Sequence, residues 1–154
     1  MLLSKVCTSG KLIAIWLIND SDINIIKESN AASSIAAWSL PINVSNISLS
    51  ASSPIAVINN NDDIVVVWSA YSSLNGLQNY FVATRPSGTG IWSSPVHLST
   101  IGSVHNDARL SLHDNGNILV VWTAYTTPDE TAVGVYTSSS NIATGIWATP
   151  IGIS

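Results

Sequence analysis

The sequence predicts an all-β protein in which one unit of about 54 residues occurs three times in tandem. Apolar runs rich in β-branched residues alternate with clusters of turn residues, which is typical of strands, and no segment shows the 3.6-residue periodicity of a helix. A fixed repeat period is the first thing to seek in a sequence, because it decides the architecture. All six tryptophans follow this period in two series, Trp16, Trp68 and Trp122, and Trp38, Trp92 and Trp147, with spacings of 52 to 55 residues.

The second and third units align almost without gaps. Ile64–Tyr71 matches Ile118–Tyr125, and Gly90–Ser99 matches Gly145–Ser154. The first unit is the poorest copy, but Leu12–Trp16 keeps the register. A proline and a serine also recur at the same position in all three units. The prolines are Pro41, Pro95 and Pro150, and the serines are Ser45, Ser99 and Ser154.

Each unit is predicted to contain four strands. The first is short, near 54–58 and 108–112, and is followed by a turn at Asn59–Asp63 or His113–Asn117, where Asn and Gly accept positive φ at low cost. The second is a near-continuous apolar run, which suits a strand covered on both faces. The third lies near 78–85 and 131–138, and the fourth carries a proline, which favours an edge position.

Four short strands per unit, repeated, predict β-propeller blades at about 1–50, 51–104 and 105–154, forming one partial propeller domain over residues 1–154. A β-sandwich of about twelve strands is the alternative. Closed propellers have about four to eight blades, so three blades leave two apolar faces exposed. The chain is therefore either a fragment of a longer repeat protein, which we favour, or half of a six-bladed ring that self-associates through its open blade faces.

The composition excludes several functions. Charged residues make up 9% of the chain and the net charge is −4, so the five scattered basic residues form no stripe for nucleic acid or an anionic membrane. No apolar run is long enough for a transmembrane helix, and the start of the chain lacks a signal peptide. The single cysteine, Cys7, excludes an internal disulfide. A surface rich in Ser, Thr and Asn is common in secreted and cell-surface β proteins.

Several stretches resemble a known group of repeats: Pro54–Val57, Val65–Trp68, Ala83–Pro86 and Trp92–Ser99. They are similar to bacterial propeller repeats of the sialidase-like superfamily, also called BNR or Asp-box repeats. The resemblance implies a propeller fold and an extracellular or surface location, and many such proteins have no assigned activity. The Asp-box itself is not matched, because Ser87–Trp92 lacks the Asp and places Trp one residue too early.

The same resemblance implies what a sialidase site would need. Sialidases hold the substrate carboxylate with three arginines and use a Tyr–Glu pair, whereas this chain has only Arg85 and Arg109. A complete site therefore cannot be assembled here, and we expect no catalytic residue and no cofactor. An enzyme remains the alternative for a longer parent, most plausibly a sialidase-like glycoside hydrolase with its catalytic residues on further blades.

Other chemistry-bearing residues are expected to have local structural roles. The carboxylates that could pair for glycoside hydrolysis are Asp62, Asp63, Asp107, Asp114, Asp129 and Glu130. Asp62, Asp63 and Asp114 fall in predicted hairpin turns, where Asp usually bonds the nearby backbone. Asp20, Asp22 and Asn24 alternate as calcium ligands do, but the EF-hand pattern fails, so a turn is expected and no metal. His97, His105 and His113 have no zinc spacing.

The aromatic residues are the best candidates for binding. Because every tryptophan follows the repeat phase, the indoles are expected to pack between blades, and Tyr80 and Tyr136 are expected to pack as well. Tyr71 and Tyr125 end second strands, where a propeller brings loops to its rim, so they are the predicted ligand-binding residues. The predicted function is a non-catalytic binding or scaffold module of a bacterial surface or secreted protein that recognises glycans or another protein.

Overall fold

The computed structural model describes residues 2–6, 10–45, 48–71, 76–99, 102–104, 107–125 and 131–154. Within these ranges the chain forms thirteen strands and no helix, and the strands make three antiparallel sheets. The prediction of an all-β chain with three strand-based units is therefore confirmed. The described part has, accordingly, no helical segment of the length and hydrophobicity that a bilayer crossing requires.

Sheet 1 contains four strands that pair in chain order. The hairpin between its second and third strands closes through Ser21 and Asp22, whose φ angles of 54° and 70° allow a tight two-residue turn. The fourth strand is a short edge piece that follows Pro41, as the proline predicts. The strands are β1 (Leu2–Val6), β2 (Leu12–Asp20), β3 (Ile23–Ala31) and β4 (Ile42–Asn43).

Sheet 2 repeats this order with longer first-strand pairing. Its first strand is interrupted in register between Ser52 and Ile55, where Ser53 has a φ of 46° and Pro54 offers no N–H to the ladder. The third strand covers the residues that the sequence predicts for it. The strands are β5 (Ala51–Ile58), β6 (Ile64–Tyr71), β7 (Gln78–Arg85) and β8 (Val96–His97).

Sheet 3 has its first strand in two pieces. Both pieces pair with the same neighbour, so together they take the place that β5 has in sheet 2. The third strand runs three residues further than predicted, because its ladder with the second strand continues to Asn117 and Asn141. The strands are β9 (Ser103–Val104), β10 (Arg109–Leu112), β11 (Asn117–Tyr125), β12 (Ala132–Asn141) and β13 (Ile151–Gly152).

The three sheets are held together by two apolar clusters. One cluster lies between sheets 1 and 2 and includes Ile15 and Trp68, and the other lies between sheets 2 and 3 and includes Val82 and Trp122. β6 contributes side chains to both clusters, because alternate side chains of a strand point to opposite faces of the sheet. Its Ile64, Val66 and Trp68 belong to the first cluster, whereas Val65 and Val67 belong to the second. The prediction that this apolar strand is covered on both faces is thus confirmed.

The serine that recurs at the end of each unit has the same bond in all three sheets. Its Oγ accepts a hydrogen bond from a backbone N–H of the third strand, next to the short edge strand. The three pairs are Ser45 with Ile26 at 2.9 Å, Ser99 with Tyr80 at 2.7 Å, and Ser154 with Val135 at 2.8 Å. The repeated serine therefore continues the β-ladder where the edge strand has ended.

Candidate functional site

The most distinctive surface of the molecule is the side of sheet 1 that faces away from sheet 2. We call it the tryptophan face, and it consists of the residues that line its groove of about 370 Å³: Ala14, Trp16, Ser29, Trp38, Ser39 and Pro41. Trp16 is partly buried, and Trp38 is 50% exposed. Large exposed apolar side chains that adjoin one another mark a place where another group docks.

The equivalent faces of the other two sheets are covered. Trp68 and Trp122, which stand in the repeat position of Trp16, are only 2% and 3% exposed. Trp92 and Trp147, which stand in the position of Trp38, pack against the first and second clusters. The prediction that the indoles pack between sheets is thus confirmed for these four residues. Trp16 and Trp38 differ because no described sheet precedes sheet 1.

The opposite end of the stack is the side of sheet 3 that faces away from sheet 2. Ile118 and Val120 point into the second cluster, so the alternation of β11 places Leu119 on this outer face, where it is 44% exposed. Ser111 and Ser139 stand opposite Leu119 in the ladder and share the face. This outer face borders a groove of about 610 Å³. The lining of this groove is more polar than that of the groove on the tryptophan face.

The predicted ligand-binding tyrosines lie at corresponding ends of two strands. Tyr71 ends β6 and is 68% exposed, and Tyr125 ends β11 and is partly buried. The segments that follow them, 72–75 and 126–130, lie outside the described residues. Neither tyrosine lines the grooves of the tryptophan face or of the outer face of sheet 3. Their role in binding stays a prediction.

The turn carboxylates bond to the neighbouring backbone and to the neighbouring sheet. Asp63 Oδ1 accepts a hydrogen bond from the N–H of Ser87 at 2.8 Å. Asp114 reaches across to the equivalent turn of sheet 2, where Asn60 donates from its backbone to Oδ1 at 2.9 Å and from its side chain to Oδ2 at 2.8 Å. These carboxylates therefore join turns and sheets. Asp129 and Glu130 lie outside the described residues.

Asp107 is bound between sheets 2 and 3. Its Oδ1 accepts the phenol hydrogen of Tyr80 at 3.1 Å, and its Oδ2 accepts the N–H of Thr123 at 3.2 Å. Tyr80 Oη in turn accepts the N–H of Ala108 at 2.9 Å. Burial raises the pKa of Tyr80 well above its ordinary value, so the phenol stays protonated and keeps donating. Tyr80 packs as predicted, and Tyr136 also lies against the second cluster.

The candidate calcium residues form a hairpin end. Asp20 precedes the two-residue turn of sheet 1 and Asp22 is its second residue, and Asn24 accepts a hydrogen bond from Asn19 at 3.1 Å. Among the described residues, no three His, Cys, Asp or Glu side chains gather closely enough to hold a metal ion. Nothing in this arrangement adds to the weak calcium pattern of the sequence.

The described histidines make local contacts. The ring of His97 stacks on Phe81 with centroids 5.1 Å apart, and its Nε2 lies 2.6 Å from Asn79 Oδ1. Burial lowers the pKa of His97 below its ordinary value. His113 Nδ1 accepts the N–H of Asn115 within its own turn at 3.3 Å. His105 and Cys7 lie outside the described residues.

Sequence reasoning missed a buried ion pair between sheets 1 and 2. Glu28 is fully buried, and its Oε1 lies 3.9 Å from Nη1 of the buried Arg85. Asn30 donates to the same oxygen at 3.0 Å, and Trp92 Nε1 donates to Oε2 at 3.4 Å. Arg85 also donates from Nε to the carbonyl of Gly90 at 3.0 Å. Arg85 is thereby engaged in sheet packing.

The sequence did contain a signal for Glu28. It stands in the repeat position of Val82, where the third strand of sheet 2 turns an apolar side chain toward its neighbour. A charged residue that is buried at such a position needs a partner, because an unpaired buried charge is costly. The partner could not be identified from sequence, because Glu28 and Arg85 are 57 residues apart and meet only when the sheets stack.

No protein-family model matches the chain, and no curated protein matches it either. The fold and the surfaces described above therefore define the class of the protein by themselves: an all-β chain of three stacked, repeated antiparallel sheets.

Proposed function

We propose that the chain is a non-catalytic binding or scaffold module built of propeller-type blades, from a bacterial surface or secreted protein that recognises glycans or another protein. The observation that carries the proposal is where the chemistry-bearing side chains lie. Asp63, Asp107 and Asp114 bond backbone groups of the sheets and turns, and Glu28 pairs with Arg85 inside the stack. These groups support the architecture.

The burial of Arg85 argues against the enzyme alternative. A sialidase-like site needs arginines that face a substrate, whereas Arg85 is 6% exposed and bonded to Glu28 and Gly90. Arg109 is exposed, but it donates to the carbonyls of Asp107 and Ala108, the two residues just before its strand. A hydrolase would therefore have to place its catalytic residues elsewhere in a longer parent. Hydrolysis of a sialoside by this chain alone would overturn the non-catalytic proposal.

The proposed recognition surface is the strand end that carries Tyr71 and Tyr125. Tyrosine combines a flat apolar ring with a hydroxyl, so it stacks on sugar rings and on protein side chains at low entropic cost. The exposure of Tyr71 fits this role. Tyr71 and Tyr125 hold corresponding positions at the ends of β6 and β11 in sheets 2 and 3.

An immobilised glycan array and a pull-down against surface-protein extracts test this proposal. We expect binding to at least one class of probe, and we expect Tyr71→Ala and Tyr125→Ala to weaken it about tenfold each, as the loss of an aromatic anchor does. Ile91→Ala is the matched control, because Ile91 is 72% exposed at a distant turn. Blank arrays and blank pull-downs for the chain and for any longer parent would refute a binding role.

A further inference from the structure

The stacking inside the molecule shows what covers a tryptophan face. In sheets 2 and 3, the face that carries the equivalent tryptophans packs against the opposite side of the preceding sheet. The same arrangement therefore occurs twice. Trp68 and Trp122 fall to 2% and 3% exposure as a result, whereas Trp16, at the same repeat position of sheet 1, is only partly buried. The complement of a tryptophan face is therefore the far side of another sheet of this repeat.

The outer face of sheet 3 is such a far side. At the contact between sheets 2 and 3 the covering residues include Val65, Val67 and Val82, all fully buried. The residues that occupy the same repeat positions in sheet 3 are Leu119, Val121 and Thr137. Leu119 is 44% exposed and Val121 is partly exposed. The described stack is thus bounded by two unlike surfaces whose repeat positions correspond to the two sides of its internal contacts, with Arg109 on the outer face where the covering face of sheet 2 has Ile55.

We propose that a second copy of this chain docks the outer face of its sheet 3 onto the tryptophan face of the first, head to tail. A contact between unlike faces must either close into a ring or extend into a filament. Two copies with two such contacts give a ring of six sheets, within the range of about four to eight that closed propellers use. This inference does not depend on the proposed binding role of the tyrosines.

The open faces differ from the covered ones in a way that predicts a reversible contact. Lys27 stands where the covered tryptophan faces carry Phe81 and Tyr136, and Thr137 stands where the covering face of sheet 2 carries Val82. Phe81 packs on Trp68 and Tyr136 packs on Trp122, with ring centroids 6.2 and 6.5 Å apart. The polar replacements reduce the apolar area at the contact between copies. We therefore expect it to be weaker than the internal contacts.

Sedimentation equilibrium of the full chain over a wide concentration range tests the proposal. We expect a monomer–dimer equilibrium without larger species, and a dissociation constant raised about tenfold or more by Trp38→Asp and by Leu119→Asp. Ile91→Glu is the matched control, because Ile91 is 72% exposed in the connection between β7 and β8, away from both open faces, and the change should leave the equilibrium unchanged. Circular dichroism checks that each variant is folded.

Mixing the two disruptive variants distinguishes head-to-tail docking from pairing of like faces. The Trp38→Asp chain keeps an intact outer face, and the Leu119→Asp chain keeps an intact tryptophan face, so their mixture should form a heterodimer through one good contact. If two tryptophan faces paired instead, Leu119→Asp alone would dimerise normally and mixing would restore nothing. That result would overturn the head-to-tail arrangement.

A gain of affinity keeps the proposal testable even where a disruptive variant fails to fold. Lys27→Tyr restores the aromatic ring that the covered face of sheet 3 has at this position, and it should tighten the dimer about tenfold. A wild-type chain that stays monomeric at all concentrations, or a Lys27→Tyr chain that associates no more tightly than the wild type, would overturn the inference.

Discussion

At the scale of single residues, the polar side chains of this protein are used mainly to satisfy its backbone. A charge content of 9% leaves few ion pairs to make, and hydroxyl and amide groups perform the bonding instead. The buried polar residues show this, because Ser45 and Ser99 accept backbone N–H groups and Ser29 donates to the carbonyl of Ser39. Buried polar groups need such partners, since an unpaired one is costly.

The recurring serine allows a prediction about stability that has an internal control. Ser99 is fully buried and accepts the N–H of Tyr80, whereas Ser154 makes the same bond to Val135 at an exposed position. Ser99→Ala should lower the free energy of unfolding by about 1–3 kcal/mol, because the buried N–H loses its acceptor and no water replaces it. Ser154→Ala should cost clearly less. Equal losses in urea unfolding would contradict this account.

His97 makes the stability depend on pH in the neutral range. Its pKa is lowered in the folded protein by burial, so below the ordinary histidine pKa of about 6.5 the unfolded chain takes up a proton that the folded chain resists. The folded state is therefore favoured above that value and loses stability as the pH falls through it. Urea unfolding at pH 8, 7 and 6 should show this decline, and His97→Gln should flatten it. An unchanged slope in the variant would show that another group is responsible.

At the scale of elements, the hairpins are set by local chemistry and the edge strands by their neighbours. The turns after the first strands of sheets 2 and 3 have the same hydrogen bonds, from Asn59 to Asp63 and from His113 to Asn117. Each turn has one residue at positive φ. In sheet 2 it is Asp62 at 65°, and in sheet 3 it is Gly116 at 84°. Such turns are readable from sequence, because Asn, Asp and Gly tolerate that conformation.

Gly116 is under a second constraint that the turn alone does not reveal. A Cβ at this position would meet Ile142 Cγ2 at 2.9 Å, whereas at Gly145, with a φ of +64°, it would meet nothing within 4 Å. Gly145→Ala should therefore cost only the strain of the left-handed backbone, about 1 kcal/mol. Gly116→Ala should cost more, since Ile142 is buried and must move. Thermal unfolding of both variants measures the difference, and equal losses would exclude the contact.

At the scale of the whole molecule, the stack depends on contacts between residues that are far apart in the chain. The first and second sheets share the Glu28–Arg85 pair, and the second and third share the bonds of Asp107 and Asp114. Between these polar contacts lie the two apolar clusters. The middle sheet is the only described one with both faces covered, because it alone has a described sheet on each side.

Removing one partner of the buried ion pair should destabilise the protein strongly, whereas replacing both charges with uncharged side chains should destabilise it much less. Glu28→Gln should lower the free energy of unfolding by about 3–5 kcal/mol, because it leaves Arg85 charged and unpaired between two sheets. The double variant Glu28→Gln with Arg85→Met should recover much of that loss, since neither charge is then buried. Urea unfolding of the two single variants and the double variant measures the coupling. Additive losses would show that the two groups do not interact.

The sequence by itself determined the repeat, the strand and turn positions and the all-β class, because these follow from local periodicity and turn chemistry. It also identified the indoles as packing residues, but it could not say which were covered. The second strands show why: β6 alternates between two clusters, whereas β2 and β11 have one open side each. Only the stacking of the sheets decided that Trp16 and Trp38 face outward and that Glu28 meets Arg85. Burial depends on which neighbour is present in space, and the chain does not encode that within any single unit.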